Sequence, residues 1–202
     1  MLNREELPTA DNSSNMNRVA DGKQAIGTTL ENLKAAVSGE TGASAKYAAY
    51  AEAAEAANKK QAAKLFRAAS AAEQVHIRLE SDLVRAEEPD FANPTADAPA
   101  VPEIDLALID AAYGEMYETS DMYPGFIAKA KEEGNDRAVM VFTKAKLAES
   151  VHAEMYLQAY NNLDALDDES YYMCPGCGYI HKGKDIKNCP ICGAPSSVFK
   201  EF

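Results

Sequence analysis

Residues 72–76, Ala-Glu-Gln-Val-His, and residues 148–152, Ala-Glu-Ser-Val-His, decide the fold. In each, Glu and His stand three apart, a spacing that puts both side chains on one face of a helix. Each pair also interrupts an apolar stripe. One stripe reads Phe66, Ala69, Glu73, His76, Leu83, and the other Phe142, Ala145, Glu149, His152, Tyr156. Two more segments show the same three-and-four periodicity: Leu30, Leu33, Val37, Glu40, Ser44, Tyr47, Ala51, and Ile104, Leu108, Ala111, Glu115, Glu118, Met122. If the four faces meet, five Glu and two His converge in one interior. Burying five unpaired carboxylates costs several kcal/mol each, against a net domain stability of about 5–15 kcal/mol. Protonation or cations must neutralise them, and two metal ions are the economical answer. One Glu from each of two helices with Glu-x-x-His from each of the other two is the donor set of carboxylate-bridged dimetal bundles.

Outward from these stripes, Thr28-x-x-Glu31 offers a capping box for a first helix ending near Ala57. Asn58 and Lys59 mark the turn into a second helix, which runs to about Ala86. Pro89, Pro94, Pro99 and Pro102 then make a long connection. A third helix spans about Glu103 to Glu133, with Pro124 as an expected kink. After a Gly134-Asn135 turn, a fourth extends to about Leu163. Four long helices with a single long crossover predict a mainly α, ferritin-like four-helix bundle over 25–165. Residues 1–24, polar and aperiodic, read as a flexible extension, and 166–202, where Cys, Pro and Gly replace Ala, as a small metal-knuckle domain.

The halves echo each other. Glu40 precedes Glu73 by 33 residues, and Glu115 precedes Glu149 by 34, as in a duplicated helix pair. Tyr47 follows Glu40 by seven residues and Tyr123 follows Glu115 by eight. Both Tyr are candidate hydrogen-bond donors to ligating carboxylates; a core Tyr bound to a backbone carbonyl is the alternative. Glu118 has no counterpart in the other half and reads either as an additional ligand or as an extra charge. Oxygen donors with a minority of imidazole suit Fe or Mn better than Zn.

Composition excludes several classes. The 202 residues carry 32 acids and 20 bases, a net charge of −12, with no basic cluster of the kind nucleic acid demands. No apolar run approaches a membrane span, and the polar start lacks the apolar stretch of a secretory signal, so a cytoplasmic, membrane-free protein is expected. Low large-apolar content with high charge is a disorder signature, but 37 Ala at helical spacings oppose it.

All four Cys lie in two copies of one knuckle, Cys174-Pro-Gly-Cys177-Gly and Cys189-Pro-Ile-Cys192-Gly. Four thiolates from two knuckles make a tetrahedral site for Fe or Zn, and the Gly after each second Cys permits the positive φ that turns backbone N–H groups toward sulfur. Behind a redox-capable dimetal bundle, a one-electron iron site is the better reading. His181, between the knuckles, reads as a surface residue.

Across roughly residues 25–202 the chain resembles rubrerythrin. The matching motifs are Gly39-Glu40 with Tyr47, Ala72-Glu73-Gln-Val-His76, Glu115-x-x-Glu118 followed by Met122-Tyr123-Pro124, Ala148-Glu149-Ser-Val-His152, and Cys-Pro-x-Cys-Gly twice. All seven dimetal positions of that family carry the expected residue types. The resemblance implies a non-haem di-iron peroxidase that reduces hydrogen peroxide to water, fed by a rubredoxin-like Fe(Cys)₄ centre. It also implies rubredoxin or an NAD(P)H-dependent reductase as electron donor. Zn or Mn can substitute for the two irons of the bundle and the one of the Cys site. Dimers or larger homo-oligomers are implied, in some members with exchanged helices, in which the Cys domain of one chain serves the di-iron site of another. By the same carry-over, His76 and Glu118 trade places at one iron between reduced and oxidised states, and Tyr47 and Tyr123 assist the reaction. A ferroxidase of ferritin type is the competing reading. The polar extension, the proline-rich loop and the short loop between knuckles depart from the family pattern.

Overall fold

The computed structural model describes residues 24–202. The flexible extension expected over 1–24 lies, apart from Gln24, outside the described residues. Helix α1, Thr29–Ala56, starts at the predicted capping box: the Glu31 N–H donates to Thr28 Oγ1 at 3.3 Å and the Thr28 N–H to Glu31 Oε2 at 2.8 Å. Asn58, at φ 57°, takes the left-handed turn that Asn tolerates and leads into α2, Lys60–Glu87. The proline-rich stretch after α2 carries no regular element and hands the chain to α3, Ile104–Tyr117.

The third bundle helix holds a feature that the sequence reading replaced with a simple kink. Between α3 and α4, Tyr123–Glu132, residues Glu118–Met122 form a π-helical turn, in which the Tyr123 N–H bonds the Glu118 carbonyl five residues back. Pro124, with no N–H, cannot make the next bond, and the widened turn absorbs one extra residue. Thr119 and Ser120 hydroxyls donate to the Glu115 and Met116 carbonyls that such a turn loosens. The extra residue accounts for the unequal spacing in the two halves: Tyr123 follows Glu115 by eight rather than seven, yet both Tyr47 and Tyr123 are buried.

Gly134, at φ 70°, turns the chain into α5, Asp136–Asn161, whose first turn is capped by the Asn135 side chain accepting from the Ala138 N–H at 3.0 Å. Two apolar clusters fill the bundle ends. One includes Tyr47, Phe66, Leu108 and Tyr156; the other Leu33, Leu83, Phe126 and Phe142. On α2, Glu73 and His76 lie between Phe66 and Leu83, so a layer of ionisable groups separates two dry cores.

Beyond α5 the chain forms a three-stranded antiparallel sheet, with β1, Tyr171–Met173, between β2, Ile180–Lys182, and β3, Lys200–Glu201. The linker folds back on the start of α2: Lys59 pairs with Asp164, Gln61 donates to the Asp167 carbonyl at 2.6 Å, and Lys64 to the Asp168 carbonyl at 3.0 Å. Tyr171, Met173 and Ile180 join the first core cluster, which seats the knuckles on this chain's own α2 and α5. The architecture is thus a ferritin-like bundle carrying a small cysteine-knuckle domain.

Candidate metal centres

Helix periodicity aims the ionisable groups inward, and packing sorts them into two overlapping sets. Glu40, Glu73, His76 and Glu149 form one; Glu73, Glu115, Glu149 and His152 form the other. Within each set one donor atom per residue lies within 4.8 Å of the rest, and every member is buried. Glu73 and Glu149, one from each Glu-x-x-His motif, belong to both. Glu118, on the π-helical turn, is half-buried and belongs to neither.

The histidine tautomers follow from their partners. His76 Nε2 meets the Cys177 carbonyl at 3.0 Å, and His152 Nε2 meets the Gly178 carbonyl at 3.0 Å. A carbonyl only accepts, so Nε2 holds a proton and Nδ1 is the ring nitrogen that faces the carboxylates. His76 Nδ1 and His152 Nδ1 each lie 2.6 Å from an oxygen of Glu149. Yet both Glu149 oxygens and His152 Nδ1 lack an aligned hydrogen bond, as do Glu40 Oε2 and Glu73 Oε1. Between the Nδ1 atoms and these carboxylates only His76 Nδ1 and Glu73 Oε2, 3.1 Å apart, make such a bond, and so many converging buried acceptors with so few hydrogens are costly and fit cations shared by the two sets.

Electrostatics agree with that fit. Burial, reinforced by the charge of Glu149, pushes Glu40 up to about 7 and Glu73 and Glu115 well above the carboxylate range. For Glu118, burial and then Glu40 and Glu115 act the same way. Glu149 goes the other way: burial tends to raise it, but His76 and His152 outweigh that and hold it low. Burial also keeps Tyr47 and Tyr123 as neutral phenols, helped by the adjacent carboxylates. The Tyr47 hydroxyl donates to Glu115 Oε1 at 2.8 Å, and the Tyr123 hydroxyl to Glu40. Each half therefore supplies the phenol that holds a carboxylate of the other half. Glu80, absent from the sequence reading, also meets Tyr123, at 2.9 Å. Its signal was present, since it lies four residues after His76 on the same helix face.

The four cysteines form a third set, with Cys174 and Cys192 sulfurs 3.5 Å apart and Cys177 and Cys189 sulfurs 3.4 Å apart. A tetrahedral metal with sulfurs at about 2.3 Å would space them by about 3.8 Å, so the knuckles need little rearrangement. Gly178 and Gly193 take φ 79° and 78°, and the Tyr179 and Ala194 N–H groups face the sulfurs of Cys177 and Cys192. His181 stays outside this set and bonds Asp185 at 2.7 Å.

Residues 31–160 match the rubrerythrin family, and residues 172–200 match the rubrerythrin, rubredoxin-like domain. The chain belongs to the rubrerythrin family. Among its relatives this rubrerythrin-family chain is 58% identical, over 98% of both chains, to nigerythrin of Nitratidesulfovibrio vulgaris. It is 27% identical to rubrerythrin-2 of Clostridium acetobutylicum, over 86% of this chain and 96% of that one. Nigerythrin in its fully reduced, all-ferrous state superposes with a TM-score of 0.89 at 57% identity, covering all of both chains. The family thus brings a di-iron carboxylate domain and a rubredoxin-like domain, and both donor sets are present here. No helix among the described residues is long and apolar enough to cross a membrane.

Proposed function

We propose that this rubrerythrin-family chain is a non-haem di-iron peroxidase that reduces hydrogen peroxide to water with electrons passed through an Fe(Cys)₄ centre. The observation that carries the reading is the pair of hydrogen bonds from His76 and His152 to the Cys177 and Gly178 carbonyls, at 3.0 Å each. They couple a one-electron sulfur site directly to the dimetal donor set, a link that an iron store does not need. In this assignment Glu40, Glu73, Glu115, Glu149, His76 and His152 hold two irons, with Glu118 one turn from Glu115 as the further ligand that trades places with His76. Cys174, Cys177, Cys189 and Cys192 hold the third. The all-ferrous state of nigerythrin supports iron as the metal.

When bound, the two ferrous ions supply the electron pair that cleaves the O–O bond. The protein supplies the rest. Tyr47 and Tyr123, kept protonated, hold Glu115 and Glu40 and keep one phenolic proton each at the edge of the site. The two dry clusters exclude water from both ends of the layer. One peroxide takes two electrons and two protons and leaves as two waters, and rubredoxin or an NAD(P)H-dependent reductase restores the electrons. The chain acts as a homodimer or larger homo-oligomer. Within one chain the linker pinned to α2 already sets the knuckles against α2 and α5, and in the oligomer the Cys domain of one chain serves the di-iron site of another.

An anaerobic titration of reduced protein with peroxide tests this reading. Both iron sites should reoxidise, with one peroxide consumed per two electrons and water as product. Failure to reoxidise, or uptake of many irons per chain, would favour the ferroxidase instead.

Gly178 gives a sharper test of the link. A Cβ there would stand 2.3 Å from His76 Nε2, and the φ of 79° already costs a side chain about 1–2 kcal/mol. Gly178→Ala should push the knuckle off His76 and lower steady-state turnover about tenfold or more, an effect of about 1.4 kcal/mol on the barrier. Iron content at all sites should be retained, as metal analysis would show.

A further inference from the structure

Glu80 is fully buried on α2, belongs to neither dimetal donor set, and leaves its Oε2 without a hydrogen-bond partner among the described residues. Its Oε1 lies 2.9 Å from the Tyr123 hydroxyl, which also reaches Glu40 Oε1. A phenol has one proton to donate and here meets two carboxyl oxygens. One of the two contacts must therefore be donated by a protonated carboxyl. Glu40 sits where cations would compensate its charge, whereas Glu80 would stand as an isolated buried carboxylate, which costs several kcal/mol. The proton accordingly belongs to Glu80, and the chain reads Glu80 O–H to Tyr123 Oη, Tyr123 O–H to Glu40 Oε1. Phe126 and Phe142 pack on the Tyr123 ring, with centroids 6.4 and 5.8 Å away, and fix the phenol between its partners.

The duplicated architecture makes the arrangement one-sided. Seven residues after the Glu of each Glu-x-x-His motif stand Glu80 in the first half and Tyr156 in the second. Around Tyr47, the counterpart of Tyr123, the corresponding neighbour is the Tyr156 ring, 5.5 Å away. Only the Tyr123 side has an acid in that position.

We propose that Glu80 is a buried carboxylic acid that delivers one proton through Tyr123 to the Glu40 edge of the dimetal site. The inference rests on the peroxide-reducing reading above and deepens it. As a proton leaves Glu80 for Tyr123 Oη, the Tyr123 proton moves toward Glu40 and is taken by a reacting peroxide oxygen; Tyr123 ends neutral and Glu80 ionised. That supplies one of the two protons per peroxide. The carboxylate left behind is favoured because the two-electron oxidation of the site adds positive charge beside it. Re-reduction removes that charge and returns a solvent-derived proton to Glu80. The groups facing Glu80 are Glu40 from α1, His76 on α2, Tyr123 from α4 and Glu149 from α5.

The experiment compares the parent holoprotein with Glu80→Gln, whose amide keeps a hydrogen-bond donor for Tyr123 but no transferable proton. In the variant, peroxide-driven reoxidation of reduced protein should slow at least about tenfold and show a larger solvent deuterium isotope effect, with iron content unchanged. Infrared difference spectra of zinc-loaded, redox-silent parent protein should show a deuterium-sensitive carboxylic acid C=O band that Glu80→Gln lacks. A parent-like rate with a parent-like isotope effect would overturn the proposal, as would absence of the acid band from the parent. If the parent itself fails to react with peroxide, the functional reading falls, and the infrared band still decides whether Glu80 holds the proton.

Discussion

Cys174→Ser should leave one fast oxidation by peroxide intact and abolish steady-state turnover. Cys174 is buried in the knuckle, 3.5 Å from the Cys192 sulfur, and a hydroxyl in its place removes one of four soft donors from a site built for them. The dimetal donors lie on the four bundle helices and do not include this residue, so a reduced bundle still gives up its two electrons once. Under the proposed function, every later cycle would need the one-electron path through the Cys177 and Gly178 carbonyls. We expect reductant-linked turnover to fall by about 100-fold or more, equivalent to about 2.7 kcal/mol on the rate-limiting barrier. Stopped-flow absorption of the first oxidation beside a steady-state assay separates the two phases. Undiminished turnover would remove the Cys domain from the mechanism.

Glu149→Gln should empty the bundle of metal and spare the Cys site. Glu149 belongs to both donor sets, and each of its oxygens lies 2.6 Å from a histidine Nδ1, so one substitution strips a donor from both positions. The neutral amide also deprives His76 and His152 of the anion that sets the charge balance of the layer. Losing an outer partner of a metal ligand typically costs 10–100-fold in affinity, and losing a shared ligand should exceed about 100-fold. Metal analysis after gel filtration should find about one iron per chain, with the tetrathiolate absorption retained. Retention of about three would show that Glu149 is not shared. Folding is a separate readout, since the clusters around Phe66 and Phe142 do not depend on this carboxylate.

The family assignment and the one-chain geometry meet at the knuckle. Two backbone carbonyls, which carry no side-chain signature, orient both histidines and join the bundle donor set to the cysteine knuckle. Gly178 is the one residue whose sequence position hinted at this, and the hint concerned its φ rather than its neighbour. Its lack of a Cβ serves the knuckle turn and the approach to His76 at once.

What the sequence determined by itself is whatever a helix encodes locally. A period of 3.6 residues places Glu40, Glu73, His76, Glu115, Glu149 and His152 on buried faces, and the cost of burying them there requires compensation. The caps, the turns at Asn58 and Gly134, the proline-rich connection and the Cys knuckles are equally local, and four such helices with one long connection imply a bundle without saying how its faces pair. The tertiary structure alone decided which faces meet. It gave Tyr47 to Glu115 and Tyr123 to Glu40, a crosswise exchange that depends on helix packing across the two halves. It turned the expected Pro124 kink into a π-helical turn, because one surplus residue had to be absorbed for Tyr123 to point inward. And it brought Glu80 against Tyr123: the periodicity already placed that carboxyl on the inner face, but only a partner from another helix could give it a proton to share.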